Sequence, residues 1–296
     1  MKDDGPAPDA EVPRAKRPQR ADGHGPVAYV LGGGGVRGAV EVGMLEALLE
    51  AGITPDLVVG SSIGAINGAI VAADPSLAVV DRLIKAWTSP QARAVYGDGW
   101  RRQLRRLASS GTHLNSPDPL RELLEEALGT DVTFEDLAVP FRVVAANVER
   151  AAEHWFTSGP VIPAVLASAS VPGLLPPTNI DGEHFIDGGI VNSIPIEAAV
   201  QAGARTIYVL QVGRVEEELS SPENPLETFR VAFEIARRHR FSRDMRLLPE
   251  DVVLHMLPSG GAIEGDEKLN AYRDMTRTRR RIERAYAATR QYLRAL

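Results

Sequence analysis

A chain of 296 residues can hold one large domain or two small ones and can bury a substantial core. Hydrophobic residues make up 44% and charged residues 24%, the balance of a soluble globular enzyme, and the formal net charge of -6 gives no reason to expect nucleic acid as a partner. Cysteine is absent, which excludes disulfides, thiolate zinc sites and a cysteine nucleophile.

Residues 1–25 are rich in Asp, Pro, Lys, Arg and Gly, with Val12 the only sizeable aliphatic side chain after the initiator. Such a segment buries too little apolar surface to offset its ordering entropy, so a disordered tail is expected ahead of a single domain over residues 26–296. The tail lacks the apolar core of a secretory signal, and no apolar run approaches the roughly 20 residues that span a bilayer. A cytosolic location is the expectation.

From Val27 onward short apolar runs alternate with amphipathic ones. Strands are expected at 27–31, 57–59, 141–146, 206–210 and 252–256, and helices at 39–51, 63–73, 77–87, 162–168 and 195–202. This alternation predicts an α/β layered fold around a largely parallel sheet, whose reactive loops gather at the carboxyl ends of the strands.

Three of those loops carry chemistry. Gly32-Gly33-Gly34-Gly35-Val36-Arg37-Gly38 follows the first strand, and its bare amides can be approached closely by an anion. Gly33, Gly35 and Gly38 also match the dinucleotide pattern G-x-G-x-x-G, with Asp56 at a plausible distance for a ribose contact. A ribose-binding acid belongs at the carboxyl end of the second strand, whereas Asp56 precedes that strand. An oxyanion hole is therefore the better reading. At that strand's carboxyl end lies Gly60-Ser61-Ser62-Ile63-Gly64, a serine between glycines at a tight strand-to-helix turn. Helix-start amides near Ser62 can stabilise negative charge, as a nucleophilic serine requires. Third, Phe185-Ile186-Asp187-Gly188-Gly189 delivers an aspartate at the end of an apolar stretch. Alone this reads as a turn; beside the other two it supplies a partner for Ser62. The segment 167–177, a helix end running into a proline-bounded loop, reads equally as a wall of the site or as a connector.

Together G-G-G-x-R-G at Gly33 to Gly38, G-x-S-x-G at Gly60 to Gly64 and D-G-G at Asp187 to Gly189 resemble the patatin-like phospholipase family, and A-S-x-S-x-P between them also fits. The likeness covers residues 27–210. It implies a three-layer α/β/α lipid acyl hydrolase using a Ser–Asp dyad, with Ser62 as nucleophile and Asp187 as general base. The Gly33, Gly34 and Gly35 backbone would form the oxyanion hole, Arg37 and Gly38 would complete its loop, and Gly60, Gly64, Gly188 and Gly189 would shape the turns. Neither a metal nor an organic cofactor is implied. Gly32 departs from the pattern, many members having Asp there. Alternative readings are a general carboxylesterase or transacylase using the same serine, and a non-catalytic lipid-binding module.

A triad of the α/β-hydrolase kind would need a histidine after the acid. Only His239 and His255 follow Asp187, and His255, near a strand end, is the better placed. The dyad remains the expectation. For a lipid substrate, Trp100, Leu104 and Leu107 fall on one helical face interleaved with Arg101, Arg102, Arg105 and Arg106, the pattern of a helix resting on an anionic membrane surface or of an ordinary surface helix. Residues 273–294 read as another helix, with Ile282, Tyr286, Leu293 and Leu296 packing on the core and a solvated basic face.

Overall fold

The computed structural model describes residues 25–95, 113–212, 219–223, 225–261 and 275–296. The expected N-terminal tail and the stretch containing Trp100, Leu104 and Leu107 lie outside that set.

An eight-stranded mixed sheet forms the centre. Its strands are β1 (Val27–Leu31), β2 (Leu57–Ser61), β3 (Phe141–Asn147), β4 (Ala152–Phe156), β5 (Thr178–Ile180), β6 (Glu183–Ile186), β7 (Thr206–Leu210) and β8 (Val253–Met256). The order is β5-β6-β3-β2-β1-β7-β8, with β4 paired to β3. The run β3-β2-β1-β7-β8 is parallel, and β4, β5 and β6 join antiparallel. The parallel strands are the apolar runs legible in the sequence, because a strand covered on both faces needs apolar residues on both. The antiparallel strands are short and partly exposed, and Ala152–Phe156 has no buried residue.

Helices cover both faces. One layer holds α1 (Ala39–Glu50), α2 (Ile63–Ala73), α3 (Ala78–Thr88), α4 (Pro90–Val95), α5 (Asp118–Leu128) and α6 (Val161–Ser168). Their apolar faces meet Val27, Tyr29 and Leu31 of β1 in the larger core. After β6 come α7 (Gly189–Asn192) and α8 (Ile196–Gln201), and after β7 the long α9 (Pro225–Arg246). On this second face Ala28 and Val30 pack against Ile196, Ala199 and Phe241. Alternate residues of one strand thus serve two cores, the signature of three layers.

The last helix, α10 (Met275–Arg294), lies over α1, so α1 is sandwiched between the sheet and another helix. Ten of its twelve residues are buried, which explains its weak amphipathic pattern. Ile282 and Ala285 carry the packing of α10. Leu293 is half-buried, the Tyr286 hydroxyl reaches Glu50, and Leu296 is 67% exposed, so the expected stripe ends before the terminus. Among the described residues no helix is long and apolar enough to cross a membrane.

Candidate active site

Ser62 sits between the end of β2 and the start of α2 with φ 55° and ψ -123°. A positive φ is costly for a residue with a Cβ and persists only where the surroundings enforce it. The enforcement here is close packing of the turn. A Cβ on Gly60 would come within 2.7 Å of Ala65 Cα, and one on Gly64 would run into the Leu31 carbonyl. Glycine at both positions lets the first turn of α2 close onto β1 and β2, which projects the serine from the sheet. The backbone N–H of Ser62 donates to Ser168 Oγ at 2.9 Å, fixing the turn from the far side.

Asp187 reaches Ser62 through the sheet. Ser61, the last residue of β2, pairs with Val144 of β3. Ile186, the last residue of β6, pairs with Ala146 of the same strand. Strand β4 occupies the other edge of β3, so β2 and β6 run head-on along one edge and stop two residues apart. The residues just past their ends must meet in that gap. The Ser62 hydroxyl donates to Asp187 Oδ2 at 2.5 Å, and Oδ1 accepts from the Gly189 N–H at 2.7 Å. The Asp187 N–H donates to the Ser170 carbonyl and the Gly188 N–H to the Ser168 carbonyl. A Cβ on Gly188 would strike the Val144 carbonyl, so this turn also needs its glycine.

Burial pushes the Asp187 carboxyl up from 3.8 to about 6, although the Ser62 and Gly189 hydrogen bonds pull the other way. Desolvation penalises the charged form and here outweighs the two donors. Such a carboxylate is a far better proton acceptor than a solvated aspartate, yet it remains ionised at neutral pH.

The glycine loop crosses over this pair. Arg37 N–H donates to the Gly34 carbonyl, closing Gly35–Gly38 into one 3-10 turn. Of the three amides expected to face an oxyanion, that of Gly33 already donates to the Ser193 carbonyl at 2.8 Å. No described group accepts from the Gly34 amide. Gly33 stands beside the serine: a Cβ there would lie 3.3 Å from Ser62 Cβ and 2.9 Å from Ser193 Oγ.

The sequence profile of the patatin-like phospholipases matches residues 29–200. The chain belongs to the patatin-like phospholipase family. It is 33% identical over 189 residues to the neuropathy target esterase sws of Drosophila melanogaster, covering 63% of this chain and 13% of that protein. To a patatin-like phospholipase domain-containing protein of Caenorhabditis elegans it is 33% identical over 198 residues, 64% of this chain and 14% of the other. The chain therefore spans about one seventh of the length of these curated relatives. Among solved structures, human GIVD cytosolic phospholipase A2 in complex with methyl gamma-linolenyl fluorophosphonate overlays with a TM-score of 0.48 at 14% identity, over 95% of this chain and 60% of that one.

Residues weighed for rival sites lie elsewhere in this patatin-like fold. Asp56 exchanges hydrogen bonds with Val27, its N–H donating to the Val27 carbonyl and its Oδ2 accepting from the Val27 N–H, at the sheet end opposite the glycine loop. His255 stacks on Tyr208 at 4.8 Å, with Nδ1 3.1 Å from the Tyr292 hydroxyl; His239 is exposed on α9. No group of three or more metal-ligating side chains lies together among the described residues.

The segment 167–177 is more than a connector: Ser168 Oγ accepts from the Ser62 N–H and the Ser170 carbonyl accepts from the Asp187 N–H. The sequence signal was the pair of small polar residues in Ala-Ser-Ala-Ser, which composition alone does not distinguish from a turn. A narrow apolar cavity of about 30 Å³ opens along α2, lined by Ile63, Ile66, Ile70, Trp87 and Leu123 among others. Its first wall residue is the one after Ser62.

Proposed function

We propose that this chain is a serine acyl hydrolase of the lipase or phospholipase A type, cleaving fatty-acyl esters of lipids. The observation that carries the reading is the 2.5 Å bond from the Ser62 hydroxyl to a buried carboxylate whose pKa is raised to about 6. Asp187 takes the Ser62 proton as Oγ attacks the ester carbonyl. Negative charge on the carbonyl oxygen falls to the Gly34 and Gly35 amides, each well-placed donor being worth roughly 3–4 kcal/mol in acyl transfer. Collapse of the tetrahedral species expels the alcohol, which takes the proton from Asp187, and leaves an acyl-enzyme on Ser62. Water, deprotonated by Asp187, hydrolyses it and restores both residues.

The apolar cavity along α2, whose wall begins at Ile63, supports an acyl chain as the substrate's recognised part. Family membership supports lipid esters as the class. The test is hydrolysis of chromogenic acyl esters together with fluorophosphonate labelling, in wild type and in Ser62→Ala. Labelling and turnover that both vanish in the variant are expected. A folded wild type that neither turns over nor labels across pH and detergent conditions would leave a lipid-binding module instead.

A further inference from the structure

Behind the glycine loop lies a buried polar cluster that the proposed chemistry does not use. Glu41, in the first turn of α1, is fully buried, and its Oε1 has no hydrogen-bond partner among the described residues. Its Oε2 accepts from Asn67 Nδ2 at 2.7 Å. Asn67 is also fully buried and lies on α2, five residues beyond Ser62. The same amide nitrogen donates to the Gly38 carbonyl at 3.0 Å, and Asn67 Oδ1 accepts from the Trp87 indole N–H at 3.0 Å. One side chain thus ties the helix carrying Ser62 to the loop's exit, to α1 and to α3.

Placing a charge on Glu41 would leave it with one bare oxygen and no countercharge in contact. Burial pushes its carboxyl well above the ordinary range, and the Asn67 bond and the nearby Gly32 backbone offset only part of that. Burial therefore favours the uncharged form, and an uncharged acid beside an amide makes a fixed polar joint. Its position matters because Gly38 is where the loop becomes helix. Gly38 also packs so closely on Ile63 that a Cβ there would collide. Anchoring Gly38 to α2 sets the distance from the loop amides to the Ser62 hydroxyl.

We propose that Asn67 is the positioning residue for the glycine loop, with Glu41 as its buried hydrogen-bond acceptor. The inference rests on the acyl-hydrolase reading for its catalytic meaning, but the loop can be observed without turnover. Two variants separate the roles. Asn67→Leu removes every bond at similar volume, whereas Glu41→Gln keeps a neutral acceptor for Asn67. Steady-state kinetics on a short soluble ester should show Asn67→Leu losing about 100-fold in kcat with KM little changed, the scale of a small misplacement of reacting groups. Hydrogen exchange at residues 32–38 should quicken in that variant. Glu41→Gln should stay near wild type in both measurements. If Asn67→Leu does not fold, Asn67→Ser, too short to span the joint, replaces it.

A folded Asn67 variant with wild-type kcat and loop exchange overturns the proposal, as does a loss confined to KM. Glu41→Gln as impaired as Asn67→Leu overturns the role given to Glu41. Wild-type turnover that survives Ser62→Ala would sink the hydrolase reading while leaving the exchange measurement to decide the joint.

Discussion

Ser62 and Asp187 are 125 positions apart in the chain, yet the hydroxyl of one lies 2.5 Å from the carboxylate of the other. The contact follows from β2 and β6 meeting head-on along the same edge of β3. If the carboxylate is the base, Ser62→Ala and Asp187→Asn both lose acylation, while His255→Ala, whose ring is held between Tyr208 and Tyr292, stays active. Rates of acyl-enzyme formation for the three variants, each checked by circular dichroism, decide it. A folded but dead His255→Ala protein sinks the dyad.

Burial of Asp187 sets two pH dependences of opposite sense. Acylation needs the ionised carboxylate, so kcat/KM should fall as pH drops through about 6. Stability runs the other way. The folded carboxyl binds its proton more tightly than the unfolded one, so wild-type stability declines as pH rises from 3.8 to about 6 and is level above. The ionised group costs the fold about 3 kcal/mol at neutral pH by that shift. Asp187→Asn carries no charge, and its Oδ1 can still accept from the Gly189 N–H while its Nδ2 donates to the Ser62 Oγ, so it should melt higher than wild type at pH 8, and the gap should close near pH 4. Equal melting at pH 8 would mean the carboxylate is better solvated than its burial implies.

The parallel strands and the inner helices were legible because burial on both faces leaves unbroken apolar runs such as Val27–Leu31 and Thr206–Leu210. The three glycine-bearing turns were legible because glycine is needed where backbone approaches backbone, as at Gly64 against the Leu31 carbonyl. What stayed hidden was pairing. Ala152–Phe156 and Thr178–Ile180 lack a buried face, so nothing in their composition announces strands that join antiparallel. The engagement of the Gly33 amide was equally invisible, since its acceptor is a backbone carbonyl and any residue at position 193 provides one. Glu41 and Asn67 read as ordinary helix residues until the fold buries them side by side.

Ser168 offers a prediction about a residue outside the three motifs. Its hydroxyl is the acceptor for the Ser62 N–H at the strained turn. Ser168→Ala leaves that buried donor unpaired, which costs about 1–3 kcal/mol. A lower melting temperature and, on the proposed mechanism, slower acylation are both expected, because relaxation of the turn moves the Ser62 hydroxyl. Thermal melts and burst kinetics check the pair of effects. A variant slowed in neither respect would show that the turn is held by its glycines alone.

The cavity along α2, whose wall begins at Ile63, predicts acyl-chain selectivity if the acyl chain enters it. Its walls are Ile63, Ile66 and Ile70 from α2, with Leu123 of α5 on the facing side. In so small a cavity, about 30 Å³, the wall residues would set how much of an acyl chain enters. Leu123→Ala removes wall volume while leaving every side chain of the Asn67 joint in place, so the rate on an octanoyl ester relative to a butanoyl ester should rise about tenfold, the scale of one or two methylenes in an apolar pocket. Ile66→Trp, which fills the same space, should shift the ratio the other way. The measurement is kcat/KM for both esters in wild type and the two variants, with thermal melts to discount any loss of fold. Because both rates are read on one protein sample, a general defect cancels in the ratio. A ratio that moves in neither variant would take the cavity off the substrate's path and place the acyl chain on another face of the site.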